Sequence, residues 1–390
     1  MVEALEIHHL SEAGQVQLGW MSGNGRQSAP PVVFQNPLDN SDYEEIGWYL
    51  RDYLHSPFGE APARAEAVET GLRNLGRLLF QAAFRGNEES FRLYSEATAA
   101  GLAECTLDII SDQPEFLALP WELMNEPDAG YPATQMASVV RRLDPASPLV
   151  PEEQSSAPQF NVLLVSPMPA SILGGPGADI QLSQGQQATE TIKVLESLNI
   201  QVELDYLRPP TWESLSRVLK ERSGHYHLVH FDGITISAGR AGDSAEDSEA
   251  ALIPCLVFED EQYQADPIPV SRLAELLLSA QVPLVVLAAG QQPNSGQTPH
   301  LWPAAGRVLA QAGVPQTAIL PHALHGADTT EQFLQEMYQA LTRGSDLGAS
   351  LARARRSLMD DPHRLTLTGK KVFWDWITPQ IYESVHYTPP

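Results

Sequence analysis

From residue 160 onward, short β-rich apolar runs alternate with segments of helical spacing, and this alternation constrains the fold more than any other feature of the chain. FNVLLVSPM (160–168) is continuously apolar, as a strand covered on both faces must be. QGQQATETIKVLES (184–197) sets Ala188, Ile192 and Leu195 on one side of a helix. IQVELDYL (200–207) and YHLVHFDG (226–233) read as further strands, with the helix TWESLSRVLKERSG between them. Thr211 supplies that helix with an N-cap, and Glu213 puts an acid in its first turn. The strand ALIPCLVFED, the helix SRLAELLLSA, the strand PLVVLAAG (283–290), the helix LWPAAGRVLAQAG and the strand TAILP follow in turn. TTEQFLQEMYQALTRG, ended by Gly344, and SDLGASLARARRSL are the last helices. Alternation of this kind calls for an α/β fold, a mostly parallel sheet with helices on both faces.

The first 142 residues follow a different pattern. LEIHHL and QVQLGW read as strands, and helices are expected at 42–55 and 62–84. The second helix carries Val68, Leu72, Leu75, Leu79 and Ala82 as one apolar stripe, and ECTLDII reads as another strand. This is a smaller α/β domain packed before the larger one. Between them, LDPASPLVPEEQSSAPQ (143–159) has four prolines, several serines and no apolar period, as suits a linker. The expected division is therefore 1–142, linker 143–159, and 160–390.

Composition narrows the function. With 24 basic and 49 acidic residues the net charge is −25, a field that repels phosphate, so nucleic acid and anionic lipid are poor partners. No run of about 18 apolar residues is present to span a membrane, and MVEALEIHHLSEAG carries two early acids and no apolar core of a secretory signal. A cytoplasmic location is expected. Cys105 and Cys255 each sit in an apolar run, without a second Cys or a His at ligand spacing. They read as buried free thiols. No metal and no cofactor is implied.

Three segments stand together in order and spacing: YHLVHFDG before a polar turn, PLVVLAAGQQ, and FLQEMYQALTRGSDLGASLARARRSL. With FQNPLDNSDYEEIGWYLRDYL, GLRNLGRLLFQAAF, LALPWELMNEPDAGYPATQMASVVRR and the closing WDWITPQIYESV, they resemble a CHAT domain, a branch of the caspase-like and separase-like cysteine proteases. The resemblance runs from about residue 33 to 384. It implies a caspase-like sheet. It also implies a His just past the third core strand and a Cys ending the fourth, because a thiol needs a neighbouring imidazole to become a thiolate. Carried onto this chain, the His position falls at Ile234 and the Cys position at Gly290. Neither residue can transfer a proton or attack a carbonyl. The two are expected at exposed strand ends.

Other residues offer no replacement pair. His230 lies four residues before Ile234, about 13 Å along a strand at ~3.3 Å per residue, and His227 points to the opposite face. Cys255 is expected to face the core. His322 and His325, in LPHALHGAD, read as loop histidines bonded locally, and Ser295 in QQPNSGQ as an ordinary loop serine. GGPGAD (174–179) matches no phosphate-loop pattern and reads as a turn. Trp121 is expected to fill a seam between domains, and Glu122 to satisfy backbone donors. SAGRAGDSAEDSEA (237–250) has nothing apolar to bury and reads as a solvated excursion.

The reading that follows is a pseudoprotease, not an enzyme, whose former peptide groove persists as a binding surface. Asp232, Gly233, Ile234, Gly290, Gln291, Gln292 and His322 are its expected lining. A groove of this kind holds an extended segment through main-chain hydrogen bonds, which need no dyad. The resemblance implies a bacterial defence setting (CRISPR-associated, for example) or regulated proteolysis, with an active caspase-like protease, a sensor or an effector as partner. A hydrolase with a relocated nucleophile and a small-ligand sensor are the alternatives.

Overall fold

A computed structural model describes residues 3–127, 130–143, 159–171, 178–198, 202–238, 253–291, 304–320 and 326–389. The chain divides into two compact units. The first holds the described residues up to 143 together with Gly348–Ile381, and the second those from 159 to Leu347 together with Tyr382 onward.

In the first unit, β1 (Glu3–Leu10), β2 (Gln15–Ser22), β3 (Gly25–Ser28) and β4 (Val32–Val33) precede α1 (Asn40–Arg51), α2 (Ala61–Phe84) and α3 (Glu88–Ala97). Then come β5 (Cys105–Ser111), α4 (Pro114–Ala118), α5 (Pro132–Gln135) and β6 (Ser138–Leu143). β1 lies between antiparallel β2 and parallel β5, and β6 runs parallel beyond β5. Asp39 caps α1 by accepting from the Asp42 amide at 2.9 Å, while Asp42 accepts from the Asp39 amide, which satisfies two donors the helix start would otherwise leave open. α2 buries Val68, Leu72, Leu75 and Leu79 as the spacing predicts. The stripe continues through Phe80, Ala83 and Phe84, leaving Ala82 half-buried.

In the second unit, β7 (Phe160–Val165), α6 (Ala178–Ser197), β8 (Val202–Tyr206), α7 (Trp212–Glu221) and β9 (Leu228–Ala238) open the alternation. β10 (Ile253–Glu259), β11 (Ala265–Pro269), α8 (Val270–Ser279), β12 (Leu284–Gln291), α9 (Ala304–Ala312), β13 (Gln316–Leu320) and α10 (Ala327–Leu341) complete it. Five strands run parallel in the order β8-β7-β9-β12-β13. Chain growth reverses direction between β7 and β9, and in open sheets ligands and catalytic side chains gather at the carboxyl ends around such a reversal. The expected α/β class holds, with a mostly parallel sheet flanked by helices. α7 starts as expected, with the Thr211 hydroxyl accepting from the Ser214 amide at 3.2 Å. α6 begins earlier than its spacing suggested, so Ala178 and Asp179 of GGPGAD are helical.

Two features depart from the expected outline. β9 does not stop at residue 233 but continues to Ala238, taking in the first residues of the supposed excursion. It can continue because β10 pairs with its second half, antiparallel, after β7 has paired with its first. The last part of the chain is α11 (Leu347–Asp360), β14 (His363–Thr366), β15 (Gly369–Val372) and β16 (Gln380–Glu383). From Gly348 to Ile381 it belongs to the first unit and not to the second.

Buried charge explains that allegiance. Arg141 on β6 donates to Glu122 from Nη1 at 2.8 Å and from Nη2 at 2.9 Å, and Arg355 on α11 donates to Glu122 Oε1 at 3.2 Å. All three side chains are buried. Burial alone would raise the Glu122 carboxyl, but the two guanidiniums hold it below the ordinary range. Glu122 thus serves two arginines as their carboxylate, a role the expectation of backbone donors missed. Trp121 packs against Phe116 and Phe34 and donates its indole N–H to the Phe116 carbonyl at 2.9 Å, all within the first unit.

Candidate functional site

At the carboxyl end of the parallel strands, β9 and β12 run in register with Asp232 opposite Ala288, Gly233 opposite Ala289, Ile234 opposite Gly290 and Thr235 opposite Gln291. The two positions singled out by sequence are therefore direct neighbours on adjacent strands. On its other side Ile234 pairs with Val257 of β10. The expectation of an exposed strand end fails for Ile234: it lies within β9, is 2% exposed, and packs with Val257 against Ile236 and Ala265. The cause is β10, which turns the end of β9 into the interior of a three-strand seam.

Alternation along β9 places His230, Asp232 and Ile234 on one face, and Val229, Phe231 and Gly233 on the other. The Phe231 ring folds over Gly233, where an added Cβ would stand 2.6 Å from the ring edge. Any larger residue there would have to displace the ring. Phe231 also packs on Phe258 of β10, which meets Trp212 edge-on.

The opposite face carries an unexpected polar group. His230 Nδ1 shares a 2.5 Å hydrogen bond with the Tyr338 hydroxyl of α10, and the two rings stack. Among the described residues, His230 Nε2 and both oxygens of Asp232 are buried without a partner. Burial lowers the His230 imidazole to about 3, so the ring is neutral, and pushes the Asp232 carboxyl well above its ordinary range. Burial, followed by the nearby Asp232, raises the Tyr338 phenol. A neutral His held this way is no general base near pH 7.

The remaining candidates divide cleanly. Asp232, Gly233 and Ile234 are buried, and Gly290 and Gln291 lie on β12. Gln292, Ser295, His322 and His325, like most of 143–159 and of 237–250, lie outside the described residues. His227 is buried, accepts from the Asn161 amide at 3.0 Å and stacks on Phe160. Cys255 is buried in β10 as expected, its Sγ 3.6 Å from the Ile253 carbonyl. Cys105 is buried in the first unit, and burial pushes its thiol up to about 12. Among the described residues, Glu203, Asp205 and His225 bring potential metal-ligand atoms within 4.8 Å of one another. Arg222 already stands among them, touching both Asp205 and His225, while the Tyr226 hydroxyl donates to Asp205 at 2.7 Å. The cation of that cluster is a guanidinium.

Sequence reasoning missed Tyr338 as the partner of His230. Their separation of 108 residues leaves no local signal. Only the regular helical placement of FLQEMYQAL hinted that one of its aromatic residues faces the sheet.

Parallel strands in this order, with two adjacent strand positions meeting beside the reversal point, define an open α/β sheet of the kind that gathers ligands at its carboxyl edge. The CHAT domain family model matches residues 71–382, and the chain belongs to that family. No curated protein matches it. Among solved structures, the Saccharomyces cerevisiae separase–securin complex is similar at 10% identity and a TM-score of 0.43, over 99% of this chain. The chain spans 30% of the length of that one.

Proposed function

We propose that this CHAT-family chain is a pseudoprotease that acts by binding protein and cuts no peptide bond. The observation that carries the reading is the register of Ile234 opposite Gly290, where the family resemblance puts imidazole and thiol. A side chain without a titratable group faces a residue without a side chain, so base and nucleophile are both missing. The burial of Ile234 against Val257 supports the same reading, because apolar packing now occupies a position that catalysis would need polar. Both cysteines are buried, which keeps their thiols from a substrate.

On this reading the carboxyl edge of β9 and β12 receives an extended protein segment. The setting is bacterial defence or regulated proteolysis, with an active caspase-like protease, a sensor or an effector nearby. The test is labelling of the native protein with thiol-directed and hydroxyl-directed probes, alongside digestion of an unfolded protein substrate read by mass spectrometry. No native labelling at stoichiometric level and no cleavage are expected, while unfolding exposes both thiols to reagent. Turnover that disappears on Cys255→Ala or Ser295→Ala would overturn the proposal.

A further inference from the structure

The β14–β15 hairpin forms a two-stranded sheet of its own, with His363 opposite Val372, Arg364 opposite Lys371, Leu365 opposite Lys370 and Thr366 opposite Gly369. Residues directly opposite share a face, so Arg364, Lys371, Thr366 and Gly369 lie on one side. His363, Val372, Leu365 and Lys370 lie on the other. The first side is anchored: Arg364 donates to Asp375 from Nε and Nη2, each at 2.7 Å, with both side chains buried. The base is closed by the Phe373 amide, which donates to the Pro362 carbonyl at 2.9 Å. At the tip, the Thr366 hydroxyl donates to the Gly369 carbonyl at 2.7 Å.

The second side faces solvent with apolar groups. Leu365 is 74% exposed, Leu367 at the apex 89% and Val372 43%. Single exposed leucines are ordinary, but three apolar residues gathered on the solvent side of one anchored hairpin make a surface that asks for a cover. Among the described residues neither outer edge of the hairpin pairs with another strand; His363 bonds to Asp361 and Arg364, and the β15 edge offers its backbone groups beside that face. Charge says what kind of cover fits. With Arg364 paired to Asp375, residues 363–372 still carry Lys370 and Lys371 and no acid, in a chain whose net charge is −25.

We propose that this hairpin is a docking element for a protein segment that is extended, acidic and alternately apolar, and that adds to its open edge as a further strand. Main-chain bonds give such an addition its affinity, and alternate side chains give it selectivity. The apolar residues of the segment cover Leu365 and Leu367, and its acids, which alternation puts on the other face, meet Lys371. The hairpin is already ordered by its Arg364–Asp375 anchor, so little further ordering opposes binding. The inference stands apart from the pseudoprotease reading, because the hairpin lies in the first unit and the vacant dyad positions in the second.

The test uses the full chain and a fluorescent peptide of about ten residues alternating Glu with Leu and Val, followed by anisotropy. Saturable binding is expected, weakened about tenfold or more by Leu365→Ser with Leu367→Ser, and equally by Lys371→Glu. It should weaken in about 0.5 M salt, and a peptide with Lys in place of Glu should not bind. Both variants should melt like the parent, since Leu365 and Leu367 are exposed and Lys371 stands outside the Arg364–Asp375 pair. Absence of saturable binding, or binding indifferent to both variants, overturns the proposal. So does dimerisation in sedimentation that the leucine variant abolishes, which makes a second copy the occupant. Leucine-dependent pelleting with phosphatidylcholine vesicles holding about a quarter phosphatidylserine would make it a membrane element and overturn it equally.

Discussion

Replacing Ile234 by His restores the imidazole that the family resemblance puts at this position, and the structure sets what it costs. Ile234 is 2% exposed and packs with Val257, Ile236 and Ala265. Removing its side chain from that seam forfeits about 1.5–3 kcal/mol of apolar burial. An imidazole put in its place finds apolar neighbours on β10, and a buried polar group without a partner costs a further 1–3 kcal/mol or so. The expected loss is about 4 kcal/mol, several times the roughly 1 kcal/mol for Ile234→Val. Urea unfolding followed by circular dichroism reads the difference as a shift of the midpoint of the transition that includes the second unit. A His variant within about 1 kcal/mol of the parent would refute the reasoning. It would mean that the seam keeps room and partners for an imidazole, and that apolar packing has not taken the position over.

Glu122→Gln should cost about 3–5 kcal/mol in thermal or urea unfolding, because it leaves the buried guanidiniums of Arg141 and Arg355 without a counter-charge. Since the Glu122 carboxyl is held below its ordinary range, its contribution is present above the unfolded-state value near 4.3 and is lost as pH falls through the folded value. Asp232→Asn should act in the opposite sense. The folded state keeps the Asp232 proton more tightly than the unfolded chain does, so this residue's contribution is fullest below about pH 4 and declines as pH rises from there. The Asn variant should therefore be more stable than the parent at pH 7, with the difference shrinking towards pH 4 in a series of melts.

Much of this fold was legible in the chain because strands covered on both faces read as unbroken apolar runs. FNVLLV, LVHF and PLVVLAA announce β7, β9 and β12 without reference to anything distant. The ends of those strands were less legible. ITISA looks like loop after the glycine, and nothing local says that β10 will pair with it and carry β9 on to Ala238. The hairpin β14–β15 was hidden for a related reason. HRLT and GKKV are short and polar by turns, and their order rests on Arg364 reaching a buried Asp375 eleven residues on. The site itself divides in the same way. Register between Ile234 and Gly290 follows from strand identity, so it could be anticipated from the family pattern. The polar group of His230, Asp232 and Tyr338 could not, because it depends on which turn of α10 lies over the sheet.

The continuation of β9 bears on whether catalysis at this edge is two substitutions away. A catalytic imidazole must meet a thiol and also exchange its proton with substrate, which requires a ring open to the cleft. Here the strand runs four residues beyond position 234, and β10 covers its flank. Installing His at 234 and Cys at 290 would therefore set the imidazole into a seam whose next neighbours are Val257 and Ile236. Burial of that kind lowers an imidazole's affinity for a proton, as it does for His230 on the same face two pairs upstream. A thiol beside such a ring gains no base near pH 7. On the proposed pseudoprotease reading, a working dyad at 234 and 290 would therefore require β10 to release the end of β9 as well as two new side chains.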